Sequence, residues 1–174
     1  MDEKMYNSVK HGLKVQHIFV QTMAEEIGMD RTIELLTKTE EKMGKIQGRI
    51  LGQNSLIKKF DVHTASALVR DMYESLGISI KMQEESARSV LFTCTRCPNY
   101  TAALELGIDD KAIESWCRVS NIRFMDMMVK QLNPDLSVRL VKFRTIPEDF
   151  CGEEIVEMID LGLDAFMATT LMVP

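Results

Sequence analysis

The sequence predicts an α+β fold: N-terminal helices packed with an antiparallel sheet of about four strands, the sheet interrupted by further helices. Three observations predict it. Apolar residues recur at helical spacing through residues 1–77, the spacing changes to strict alternation from Ile78 onward, and turn or capping residues stand at the boundaries. At 174 residues the chain suits a single domain, 1–174, with a helical part (1–77) and a cysteine-bearing α+β part (78–174).

In the first helix Val9, Leu13, Ile18, Phe19, Met23 and Ile27 follow one face, and Gly28 supplies the stop. Asp30 is the expected N-cap of the second helix. There Met29, Leu36, Met43 and Ile50 recur every seven residues, a stripe expected to face a partner helix. Gly44, Gly48 and Gly52 align on the same helix, each at about 1 kcal/mol against alanine. Close helix packing explains such a row, and so does a backbone left bare for a ligand. Asp61 caps a third helix with Val62, Ala65, Val69, Met72 and Leu76 on one face, closed by Gly77. ISIKMQ and SVLFTCT then alternate as strands joined through EESAR, and SVRLVKFRT (137–145) and EEIVEM complete the set. Between them PNYTAALELG reads as a short helix. Another starts at an Asp109 or Asp110 cap, with Ser120 capping its continuation.

Composition narrows the function. A net charge of −5 with scattered lysines and arginines argues against a nucleic-acid partner. No apolar window reaches the ~18 residues of a membrane span, and MDEKMYNSVKHG lacks the features of a secretory signal. The expected location is the cytoplasm, where thiols stay reduced. The 13 methionines are read as adaptable core filling.

No cysteine precedes Cys94; Cys97, Cys117 and Cys151 follow it. Cys97 stands directly before Pro98, a residue favoured at the first helical position, so Cys97 falls at the N-cap of a helix. The helix N-terminus favours its thiolate, and Cys97 is the expected reactive thiol. Cys94 shares a strand face with Val90 and Phe92, which fits a core residue. Cys94-Thr95-Arg96-Cys97 places its second cysteine at the helix start, against the usual order of a redox pair, and Cys117 and Cys151 lack the second short spacing of a zinc finger. His11, His17 and His63 lack i, i+4 partners and are expected on the surface or in packing.

The order of signals resembles the family named for L-2-amino-thiazoline-4-carboxylic acid hydrolase. The resemblance is carried by Cys97-Pro98, Leu106-Gly107, Cys117, Asn133-Pro134 and the turn Pro147-Glu148-Asp149-Phe150-Cys151, and spans residues 10 to 160. The sequence is also similar to 4-vinyl-reductase-type ligand-binding domains, from which it departs by a proline before Glu148-Asp149. The first resemblance implies hydrolytic opening of a cyclic amidine. Either the Cys97 thiolate attacks the ring carbon, or Cys97, Cys117 and Cys151 hold a zinc or iron ion that activates water. Asp149 or Glu148 would then serve as general base, with Arg96, Arg139 and Arg144 as candidates for a substrate carboxylate. The alternative is a non-enzymatic protein whose cysteines bind zinc or an iron–sulfur cluster for small-molecule or redox sensing. The expected partners are a small-molecule ligand or substrate and a second copy of the chain, since the methionine and glycine rows exceed what a small core needs.

Overall fold

The computed structural model describes residues 3–57 and 59–158, so the end of the expected domain, 159–174, lies outside the described residues. Two long helices, α1 (Glu3–Ile27) and α2 (Met29–Asn54), meet at Gly28, whose φ of 83° only glycine adopts without strain. Gly28 itself is the N-cap of α2, and Asp30 lies in the first turn instead of at the cap. A short connection leads to α3 (Val62–Ser75), capped by Asp61 as the sequence predicts, in a reciprocal capping box with Thr64.

Strands β1 (Ser79–Glu85) and β2 (Ser89–Arg96) form a hairpin whose turn is closed by the Ser86 hydroxyl, which accepts from the Arg88 and Ser89 N–H groups. Helix α4 (Pro98–Glu105) follows immediately, then α5 (Asp110–Cys117), capped by Asp109. The chain continues through a π-helical turn, Arg118–Ile122, into α6 (Arg123–Leu132). Ser120 is therefore no cap: the helix runs on unbroken, and the Ser120 hydroxyl donates to the Trp116 carbonyl at 2.6 Å. Strands β3 (Leu136–Lys142) and β4 (Cys151–Glu157) complete an antiparallel sheet of order β1-β2-β4-β3. β3 ends at Lys142, short of the expected Thr145; past a register shift after Leu140 its last pair is Lys142 with Gly152, at the start of β4.

The sheet puts Val90, Phe92, Val138, Leu140 and Ile155 into a core shared with Val69 of α3 and with Met125, Met128 and Val129 of α6. The glycine row has a steric explanation. A Cβ on Gly44 would stand 2.3 Å from the Phe124 carbonyl oxygen, and one on Gly48 2.4 Å from that of Met128. Bare backbone lets α2 lie against α6 there, whereas Gly52 meets only ordinary contact at 3.7 Å. The seven-residue stripe stays largely outside: Met29, Met43 and Ile50 are exposed. No helix among the described residues is long and apolar enough to cross a membrane.

Candidate functional site

Alternation brings the site residues to one face of the sheet. Cys94 of β2 stands directly opposite Cys151 of β4, and Glu153 follows Cys151 by two residues, so all three share a face. Past the end of β2, Cys97 takes the N-cap of α4 with Pro98 at the first helical position. Cys117 closes α5. All four cysteines line one cavity of about 40 Å³, together with Glu153 and Tyr73. That volume holds one or a few waters.

Two buried ionisable side chains touch its cysteines. Arg144 is 2 % exposed; its Nε donates to Cys151 Sγ at 3.4 Å, and its other nitrogens donate to the carbonyls of Cys94, Thr95 and Pro147. Its guanidinium also lies 4.6 Å from the Tyr100 ring centroid. No carboxylate among the described residues pairs with it. Glu153 is the second. The Tyr73 hydroxyl donates to its Oε2 at 2.6 Å, and Cys94 Sγ lies 3.7 Å from its Oε1. Asn121 of the π turn donates to the Tyr73 hydroxyl at 3.1 Å, extending the chain of bonds. Burial pushes the Glu153 carboxyl above the usual carboxylate range, although both hydrogen bonds pull it down.

Desolvation also acts on three of the thiols. Cys97 is pushed up to about 11, chiefly by desolvation, while the N–H groups of Tyr100 and Asn99 and the Arg144 charge act the other way. The helix N-terminus thus works in the expected direction and is outweighed; Cys97 rests as a thiol. Cys94 and Cys117 are raised as well, again first by burial.

A larger cleft of about 260 Å³ adjoins the thiol cavity, and Ile78, Asn99 and Asn121 line both. Its walls are α1, through Val9, Leu13 and His17, and α2, through Leu36 and Glu40. The π turn forms the third side with Ser120 and Asn121. A π turn inserts one residue into an α-helix and often marks a functional site; here it supplies residues to both spaces. His17 stacks on Trp116 with ring centroids 5.6 Å apart, and burial lowers its pKa.

The remaining sequence candidates lie elsewhere. Asp149 is bound by Lys142 at 2.7 Å, which holds its carboxyl down at about 2, and Asp149 and Glu148 are not among the residues lining either space. Such a paired, strongly acidic carboxylate is a poor proton acceptor near neutral pH. Arg96 is engaged by Glu3 and lies over the Tyr6 ring, and Arg139 pairs with Glu154. Of the three arginines only Arg144 touches a cysteine at the cavity.

Glu153, Tyr73 and Asn121 were not among the sequence candidates. Cys151-x-Glu153 within one strand places both side chains together, but only once the strand is extended back to Cys151. Tyr73 follows Val69 by four residues on the buried face of α3, where a hydroxyl requires a partner. Nothing local marks Asn121 as part of a π turn.

Among the described residues, no group of three or more His, Cys, Asp or Glu side chains is arranged to hold a metal ion. The Arg144 guanidinium beside Cys151 adds a repulsive charge to any cation there. No protein-family model and no curated protein matches the chain.

Proposed function

We propose that this chain is a thiol-dependent hydrolase that opens a cyclic amidine of the 2-aminothiazoline-carboxylate class, with Cys97 as nucleophile. The observation that supports this reading is the cavity lined by four cysteines and the raised carboxyl of Glu153, with the Arg144 guanidinium against Cys151. An amidine carbon between nitrogen and sulfur is an electrophile suited to a thiolate. Because Cys97 rests protonated, its attack requires a base, and a carboxyl shifted upward by burial can carry a proton nearer neutral pH. Glu153 takes that role, in place of Asp149 and Glu148. Sγ of Cys97 bonds to the amidine carbon as its proton leaves for the carboxylate. The ring C–N bond then breaks, its nitrogen taking that proton and leaving as the amine, and water adds to the carbon still bound to Sγ and expels Cys97 as its thiol. Arg144, already held by three carbonyls, stabilises the thiolate as it forms. Turnover of 2-aminothiazoline-4-carboxylate by the native chain, abolished in Cys97→Ser with the fold intact, is the expected result. Undiminished turnover in Cys97→Ser overturns the assignment.

The meeting of four cysteines at one cavity also favours a second reading, a zinc or iron–sulfur sensor that performs no hydrolysis. Metal analysis and the absorbance spectrum of anaerobically purified protein separate the two. Iron colour supports the sensor, and metal-free protein that turns substrate over rules it out.

For the partner we propose a second copy of the chain. Val15, Ile18 and Phe19 of α1 are each more than half exposed, at 58, 51 and 62 %, and the i, i+3, i+4 spacing places them on one helix face. The glycine row of α2 packs on α6, and this apolar face of α1, more exposed than the methionine stripe of α2, is the interface we assign.

A further inference from the structure

The cleft beside the thiol cavity contains one charged side chain, Glu40, among its lining residues. Glu40 is half-buried, and no hydrogen bond or ion pair joins it to any described residue. Its sequence neighbour shows the usual arrangement: Glu41 accepts two hydrogen bonds from the Arg123 guanidinium. A carboxylate withdrawn from water without a partner is costly. Glu40 sits across open space, so a ligand can supply what the protein does not.

We infer that this cleft binds the planar cationic group of a small ligand, an amidinium or guanidinium, with the Glu40 carboxylate as its counter-charge. The inference deepens the proposed function by assigning a recognition group for the amidine. Four observations carry it. The cleft is lined by no lysine or arginine among the described residues, so nothing competes for the carboxylate. Much of its lining is apolar, with Val9, Leu13, Leu36 and Phe124 among it, and the uncharged polar groups of Gln16, Asn99, Ser120 and Asn121 are left to orient a bound ring. The volume of about 260 Å³ limits the ligand to a small molecule. Ile78, Asn99 and Asn121 join the cleft to the thiol cavity, so a ligand held at Glu40 is presented toward the cysteines. A carboxylate and an amidinium form parallel charge-assisted hydrogen bonds, the same geometry that pairs carboxylate with arginine.

The test is calorimetric titration with benzamidine and its neutral analogue benzamide, using the full chain. The native protein should bind benzamidine at least about tenfold more tightly than benzamide, as a charge-assisted pair supplies. Glu40→Gln should erase that preference, and Cys97→Ser should leave it intact. Equal affinity for the two compounds, no binding of benzamidine at millimolar concentration, or a preference that survives Glu40→Gln each overturns the inference. Leu13→Phe, which fills the cleft from α1, should abolish binding of both compounds; unchanged binding in that variant also overturns it. These outcomes are independent of catalysis. Benzamidine binding that depends on Glu40, in a protein that does not hydrolyse the cyclic amidine, leaves the cleft assignment standing and removes the hydrolase.

Discussion

Glu153 couples the site to pH through a single buried carboxyl. Its folded pKa lies above the ordinary value of 4.5, so folding favours its protonated form. That contribution is fully present below 4.5, and it declines as pH rises through the raised folded value, because only the unfolded chain ionises freely. The melting temperature of Glu153→Gln should therefore fall less than that of the native protein as pH is raised from 4.5 toward neutrality; parallel curves would show that Glu153 does not titrate in this range. Tyr73→Phe removes the donor to Glu153 and the acceptor for Asn121 in a fully buried place, and should cost about 1–3 kcal/mol by chemical denaturation. At this scale the sequence was informative about position more than state. Pro98 located Cys97 at a helix N-cap, but its protonation depends on burial and on charged groups distant in the chain, Arg144 and Cys151.

Between elements, the glycines of α1 and α2 offer an internal comparison. Gly12 has nothing within 4 Å of where a Cβ would stand, so Gly12→Ala should stabilise by up to about 1 kcal/mol through helix propensity. Gly44→Ala and Gly48→Ala gain the same propensity but drive a methyl into α6 backbone, and should destabilise by about 1–3 kcal/mol. Equal effects at all three positions would contradict the close packing of α2 on α6. The glycine row was legible because its cost demanded a partner. The seven-residue stripe stays exposed at Met29, Met43 and Ile50 because closest approach goes to the face with the smallest residues, and that face carries Gly44 and Gly48. Strands were legible from alternation. Their order was not, since β4 enters between β2 and β3 and nothing in local spacing records that insertion.

For the whole molecule, the exposed apolar face of α1 sets the expected assembly. Phe19→Glu should lower the light-scattering mass at micromolar concentration from a dimer toward a monomer while leaving the proposed amidinium cleft unaffected, because Phe19 does not line it. A native protein already monomeric at that concentration disproves the interface. The helical part contributes α1 and α2 as two walls of the cleft, and the α+β part contributes the thiols, so neither segment holds the proposed site alone. That division explains why the site was only partly visible in the sequence: the cysteines cluster within the second segment, whereas Glu40 and His17 come from the first.

The π turn at Arg118–Ile122 carries a consequence for how the chain tolerates change in length. An inserted residue absorbed as a π turn leaves the helical faces on either side in phase. Removing Val119 should thus restore an uninterrupted α-helix in which Ile113 and Trp116 still face their cluster and Met125 and Val129 still face the sheet. The core would survive a deletion that ordinarily rotates everything beyond it by about 100°. What would be lost is the bulge that turns Ser120 and Asn121 toward the cleft, and with it the Asn121–Tyr73 bond. In a length-variant series, position 119 should separate foldedness from ligand binding: one residue fewer, the same fold, and an altered cleft wall.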